Sequence, residues 1–592
     1  MPTDKNKDKR GKVLSFERDN SFFVQRGDAR RAQNDPVSAM AMYNEALERD
    51  PDDLDTRLAA AQLLTDMSRF NDSNRLLIPY MHKDEDYRRE AYCIVGFNLI
   101  GLNESEGARL CFERFFESTD EVSPRTDAML DALDYLDSAE PEDEYLKDAS
   151  DAYLLARLGA AATAFENGNF PFATKLFGAL FEKYPSNLDV NYRYALSLLC
   201  EKRYEESRAA AGNVLEKDAA HIGALSVAML ASNATGNELD CAQLAKRLEN
   251  ADTNDIDELF RINGALIECG RFEQAESSGR KLVKLLPYSP QANHRLAISL
   301  MKQGKYQKAA ELYDKLLKID RSDLVAKYFM TGCLDALNKG GTAFPEGHVM
   351  VHYQVPFSEI IETVRSIIDN KDAPPEQIAA DWKTDRSVRD RIRWSFSLGE
   401  FNIICAMTAL LRVIGDENAE LLLREVISDI DVSDAVINEV LGALKAINAP
   451  EPYFAMAGGR LLEGRVNVVD LDKAHIPANY RSIFPRIMKV SDGLYSTEVF
   501  KTAGTITERF LVGSSGEYRH ISKEQSVALS AAVEFLACEK CGAMVADDLC
   551  ERYGITERRL ENAVNRLIGI LMQAGEKAAD IEAGHDGEYG DE

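Results

Sequence analysis

The sequence predicts an all-α solenoid of stacked helix pairs, followed by further helical modules. Three observations carry that expectation. Similar segments recur at residues 34–51, 168–185, 270–287 and 304–320, each a turn followed by a helix with small residues on one side and bulky ones on another. Steps of 34 residues keep a common register over five consecutive units, which start at Leu154, Leu188, Ile222, Ile256 and Pro290. Apolar content is 45%, ordinary for a folded chain, and the longest apolar run, residues 402–415, contains Arg412 and is too short to span a bilayer.

The elements follow in order. Residues 1–19 are charged and lack an apolar core, so they are expected to be disordered and not a secretory leader. Residues 20–122 hold repeat-like units: Gly27, Ala39, Tyr43, Ala46 and Pro51 mark the first, a degenerate second begins near Leu54, and Gly96, Ala108 and Phe112 mark a third. Residues 117–151 carry thirteen acidic and two basic residues, and the connector is set at 123–153, with "DAMLDALDYLD" at helical spacing.

Residues 154–340 form the main array with its capping helix. In the second helix of each unit a small residue stands at the close contact: Ala173, Ser207, Cys241, Ala275 and Ala309. Four places on come Phe177, Ala211, Ala245, Gly279 and Tyr313. One helix pair cannot cover its own apolar faces, so neighbours stack into a continuous core, and small residues let the helices approach.

This pattern resembles the tetratricopeptide repeat, a helix-turn-helix unit of that period, over roughly residues 20–338. The resemblance implies a binding groove lined by the first helix of each unit. The fifth, sixth and ninth register positions then supply Leu158, Tyr192, Arg193, Leu196, Phe260, Arg261, His294 and Arg295 as candidate partner-binding residues. Arg193, Arg261 and Arg295 fall in one line. They are read either as contacts to a partner's carbonyls or carboxylates, or as structural partners of acids such as Glu205 and Glu273. The Lys and Asn clamp of chaperone-binding relatives is missing, so that activity is not carried over.

Beyond the array, residues 341–387 read as a connector with a possible strand at "HVMVHYQVP". Residues 388–465 look HEAT-like, on "LRVIG" and "LKAIN" before turns, and residues 466–520 are mixed. Residues 521–574 are similar to a helix-turn-helix, with Gly554 at the turn. Arg558, Arg559, Asn562 and Arg566 would then lie near a DNA-facing helix, although a protein-contact module explains the same pattern. Residues 575–592 read as a disordered acidic tail.

No catalytic residue is assigned, and no metal or cofactor is expected. Cys538 and Cys541 lack a second Cys-x-x-Cys, and His348 and His352 lie on an expected strand that holds them apart. A net charge of -28 argues against general polyanion binding. The expectation is a cytoplasmic, non-enzymatic scaffold or adaptor with a protein or peptide partner and no membrane or small-molecule substrate. A transcription regulator with a C-terminal DNA-binding module is the alternative.

Overall fold

A computed structural model of the chain describes residues 20–117, 124–138, 168–340, 351–356, 375–398, 401–465, 476–491, 493–514, 521–541 and 548–583, together with isolated positions at 154–165, Phe344 and several between 518 and 545. The expected solenoid is present. In the N-terminal part, α1 (Asn20–Ala32), α2 (Pro36–Arg49), α3 (Leu54–Asp66), α4 (Phe70–Leu77), α5 (Glu85–Gly101) and α6 (Ser105–Glu117) form three helix pairs, followed by α7 (Pro124–Ser138). The main array runs through α8 (Phe170–Lys183), α9 (Leu188–Cys200), α10 (Tyr204–Lys217), α11 (Ile222–Ala234) and α12 (Glu238–Glu249). It continues with α13 (Ile256–Glu268), α14 (Phe272–Leu285), α15 (Pro290–Lys302), α16 (Tyr306–Ile319) and the cap α17 (Leu324–Lys339).

The register is realised to the residue. First helices begin at Leu188, Ile222, Ile256 and Pro290, and second helices at Phe170, Tyr204, Glu238, Phe272 and Tyr306. Each first helix starts there because the preceding residue caps it: Asn187, His221, Asp255 and Ser289 accept from the backbone N–H three places on. Between the helices of a unit the backbone turns left-handed at Gly168, Lys202, Gly236, Gly270 and Gly304, with φ from 62° to 74°. Four of these five places carry the one residue that adopts this turn without steric cost. The close-contact residues Ala173, Ser207, Cys241, Ala275 and Ala309 are all fully buried.

The unit from Leu54, read as degenerate, is a regular helix pair. Its turn is left-handed at Ser68 (φ 57°). Its second helix is held by a buried polar network in which Asn98 donates to Ser73 (2.9 Å) and Asn74 (2.8 Å) and Thr65 donates to Asn98 (2.7 Å). Polar residues stand where the repeat usually shows apolar ones, and this hid the unit.

The N-terminal pairs dock back onto the end of the main array. Helix α2 packs on α16, with Asn44 donating to the Ile319 carbonyl (2.9 Å) and Arg321 pairing with Glu45 (3.0 Å) and Glu48 (2.8 Å). Ile319 is buried in one cluster with Met40, Tyr43 and Met67.

The expected helices of residues 388–465 are α19 (Arg386–Phe396), α20 (Phe401–Ile414), α21 (Glu417–Val426) and α22 (Asp434–Ala446), preceded by α18 (Pro375–Thr384). The last part of that region corrects the sequence reading. Residues 453–464 form an antiparallel hairpin, β1 (Tyr453–Ala457) and β2 (Arg460–Gly464), instead of a helix. Gly458 and Gly459, both at positive φ, make the two-residue turn, and paired glycines at that place favour a hairpin. Phe454, Met456 and Leu461 face the N-terminal pairs and join the core of α5 and α6. Tyr453, Ala455 and Ala457 face α20 to α22.

Two smaller expectations are also corrected. Residues 351–356 form bends and no strand, while His348 lies outside the described residues. The tail expected to be disordered from Gly575 is helical as far as Ala583, a run rich in the helix formers Ala, Glu and Lys. The mixed region contributes α23 (Ala478–Arg481), α24 (Ile483–Val490) and α25 (Thr497–Gly513). These pack with α26 (Lys523–Lys540), α27 (Leu549–Tyr553) and α28 (Glu557–Ala583) around one apolar cluster. At its side, fully buried Glu534 accepts from Ser491, Tyr495 (3.0 Å), Tyr553 (2.6 Å) and Arg552 (2.7 Å), so its charge is compensated. No helix among the described residues is long and apolar enough to cross a membrane.

Candidate functional site

The first helices α9, α11, α13 and α15 lie side by side and present one continuous face. Two glycines shape it. A Cβ at Gly223 would come within 2.6 Å of the Tyr192 ring, and one at Gly264 within 2.6 Å of Arg295 Nη1. Each glycine therefore makes a seat across which a large side chain from the neighbouring helix lies. The Arg261 guanidinium stands 5.7 Å from the Tyr192 ring centre, and the Arg295 guanidinium 5.8 Å from that of Phe260. His221 adds a tilted ring contact to Tyr192 at 5.3 Å. The face thus carries two arginine–aromatic pairs in a row.

The three aligned arginines occupy different surroundings. Arg193 is exposed and bonds to Asp189 of its own helix at 2.8 Å. Arg261 is exposed above Tyr192. Arg295 is half-buried, and its Nη1 is a buried nitrogen with no hydrogen-bond partner among the described residues. Burial lowers its pKa, and the carboxylate of Glu268 offsets part of that shift. Among the described residues no ion pair joins any of the three to Glu205 or Glu273, and Glu205 pairs instead with Arg208 at 3.0 Å.

Of the other groove candidates, Leu158 is half-buried beside the cluster of Ala161 and Phe177, and Leu196 packs against the main core. His294 is a correction. It is fully buried, its Nδ1 lies 2.7 Å from the Tyr313 hydroxyl, and its ring meets Phe329 at 4.8 Å and Tyr353 at 5.3 Å. The reason is long-range. Residues 351–356 return across the end of the array, with Tyr353 donating to Asp323 (2.5 Å) and Val355 buried in the array's core. The chain covers its own groove there, so the open face extends from α9 to the Arg295 side of α15.

At the C-terminus, α27 has only five residues, Gly554 turns at φ 62°, and α28 follows. Arg558, Arg559 and Asn562 are exposed and Arg566 is half-buried, with Arg559 standing 3.7 Å from Glu524. Cys538 is buried, and burial pushes its thiol up to about 11, while Cys541 lies 3.2 Å from the Thr502 hydroxyl. Among the described residues no group of three or more His, Cys, Asp or Glu stands close enough to hold a metal ion.

Sequence reasoning missed Gly223, and it placed Gly264 at a groove position of the register without giving it a role. Gly223 stands in the first turn of its helix and Gly264 in the interior of its own, where a glycine marks a place of close approach.

Tetratricopeptide repeat profiles match residues 21–63, 158–221 and 290–323. No curated protein matches the chain. Similar solved structures include a thermophilic tetratricopeptide repeat protein of Thermus thermophilus, 17% identical, covering 30% of this chain and 98% of that one at a TM-score of 0.26. A tetratricopeptide repeat protein from Parabacteroides merdae is 11% identical, covering 53% of this chain and 98% of that one at a TM-score of 0.25. The C-terminal part of a repeat-containing protein from Cytophaga hutchinsonii is 14% identical, covering 48% and 98% at 0.26. These scores are low, and no property of those proteins passes to this chain. The three profile matches fall on α1–α3, on the start of the main array and on α15–α16, the units whose period organises the solenoid, so the chain carries tetratricopeptide repeats over those segments.

Proposed function

We propose that the chain is a non-catalytic scaffold or adaptor that binds a segment of a partner protein along the open face of α9, α11, α13 and α15. The observation that carries this reading is Arg295. A half-buried guanidinium over Phe260, with one nitrogen that has no acceptor among the described residues, bears a desolvation cost that a ligand oxygen would relieve. Tyr192 and Phe260 supply apolar surface for the segment's body. Arg261 and Arg295 supply charge-assisted donors for its carbonyls or carboxylates.

The test is an affinity comparison. A partner segment isolated by capture on the full chain is titrated against the wild type, Arg261→Ala and Arg295→Ala. Loss of a desolvated charge-assisted contact corresponds to roughly tenfold weaker binding or more. Unchanged affinity in both folded variants rejects this face as the site.

A further inference from the structure

A second surface, away from the groove, does not depend on that reading. The hairpin β1–β2, helix α22 and Arg509 of α25 enclose a half-open cleft of about 600 Å³. Its floor is apolar, with Ile437, Leu441 and Ala455, and Leu462 at its mouth is 50% exposed. Three guanidiniums line it, those of Arg460, Arg465 and Arg509. The acids beside them are engaged: Asp434 pairs with Lys540 (2.8 Å), and Glu463 accepts from Tyr92 (2.8 Å) and pairs with Arg88 (3.5 Å). Arg460 pairs with Glu106, and Arg509 donates to the neutral side chain of Asn438 in α22 at 3.2 Å. A chain of net charge -28 thus leaves local positive charge over an apolar cleft.

The edge of β2 adds a directional feature. Met456 donates its N–H outside the hairpin, to the Ile427 carbonyl (2.7 Å), so Met456 and its partner Leu461 form a pair without mutual backbone bonds. Leu461, and Glu463 two places on, therefore turn their backbone N–H and C=O away from β1. Among the described residues those groups have no backbone partner. We propose that the β2 edge and its cleft receive an extended acidic segment of a partner protein, which adds a strand beside β2 and directs carboxylates to Arg465 and Arg509.

The test uses the full chain and labelled synthetic peptides of about eight residues, read by fluorescence anisotropy. The probes alternate Glu with Val or Lys with Val, and a third Glu–Val peptide is N-methylated at alternate amides. The expected result is binding of the Glu–Val peptide alone, about tenfold weaker or worse for Arg465→Glu and Arg509→Glu and unaffected by Arg295→Ala. Both charge variants are checked for an unchanged melting temperature. Several results overturn the proposal: no binding by the wild type, binding indifferent to both arginines, or equal binding of the N-methylated peptide, which would mean anion capture without strand addition. A concentration-dependent dimer in sedimentation that the peptide fails to dissociate assigns the edge to a second copy, and also overturns it.

Discussion

The N-terminal helix pairs and the main array obey one packing rule and reach different ends. The N-terminal pairs seat an aromatic ring against a glycine of the preceding helix: a Cβ at Gly27 would meet the Tyr43 ring at 2.5 Å, and one at Gly96 would collide with the Phe112 ring in the same way. In the main array Phe177 and Tyr313 hold that place in the outer units, and Ala211, Ala245 and Gly279 in the middle three. In the N-terminal part, later segments of the chain then close over the repeats. The hairpin buries Phe454 and Met456 against α5 and α6, and α16 covers α2. In the main array, among the described residues, such cover falls on its C-terminal end, at His294, Tyr328 and Phe329, while Arg261 stays exposed and Tyr192, Phe260 and Arg295 stay half-buried. The repeat rule builds a face, and remote segments decide whether that face is core or binding surface.

The largest expected effect breaks the closed half. Phe454 is 2% exposed, so Phe454→Ala is expected to cost about 3–5 kcal/mol in denaturant unfolding of the N-terminal half. Hydrogen exchange should quicken in α5 and α6 and stay unchanged in α11 and α13. Unaltered exchange in α5 and α6 would mean that those pairs stand without the hairpin.

A smaller effect sits at the seam between the halves. Asp323 caps α17 by accepting from the Ala326 N–H (2.9 Å) and accepts from Tyr353, facing Asp320 and, from the N-terminal side, Arg69. Burial, with Asp320 second, raises its pKa to about 6. The native state therefore holds this proton more tightly than the unfolded chain does. Its contribution is most favourable below about pH 4 and is lost as pH rises through about 6, on the order of 2–3 kcal/mol. Asp323→Asn, which keeps the cap, should flatten that part of the stability profile relative to wild type. Identical slopes in paired melts from pH 4 to pH 8 would exclude the carboxyl as the source.

The open half rests on close helix contacts, and Ala309 tests them. It is fully buried between second and first helices, so Ala309→Leu should cost about 1–3 kcal/mol through overpacking. A change below about 0.5 kcal/mol would show slack at that contact.

What was legible in the sequence follows from the range of the forces involved. Helix starts such as Leu188 and Pro290 were readable because caps, turn residues and the small residue of the second helix all lie within one period. The register positions of Tyr192, Phe260, Arg261 and Arg295 on their first helices were readable for the same reason. His294 was misassigned because Tyr353, which covers it, lies 59 residues away with no local trace of the contact. The hairpin at 453–464 was different, since paired glycines between "YFAMA" and "RLLEG" were a local signal. Its length resembled a helix, and the neighbouring helical pattern outweighed the turn.

The smallest expected effect on stability is also the sharpest within the open face. Arg193 and Arg295 hold the same register position in units 102 residues apart, yet their surroundings predict different responses. Arg193 makes an exposed bridge to Asp189, a type of pair worth about 0–1 kcal/mol, so Arg193→Ala should scarcely move the melting temperature or partner affinity. Arg295 covers Gly264 and lies over Phe260, but its buried Nη1 has no acceptor among the described residues. Replacing it with Met keeps much of the apolar stem while removing a poorly solvated charge, so stability should stay within about 0.5 kcal/mol of wild type or rise. Partner affinity should nevertheless fall, because the donor is gone. A site kept at no benefit to folding but needed for binding separates recognition from architecture. If Arg295→Met melts distinctly earlier and binds as well as wild type, the arginine is a repeat contact, and the open face loses its anchor.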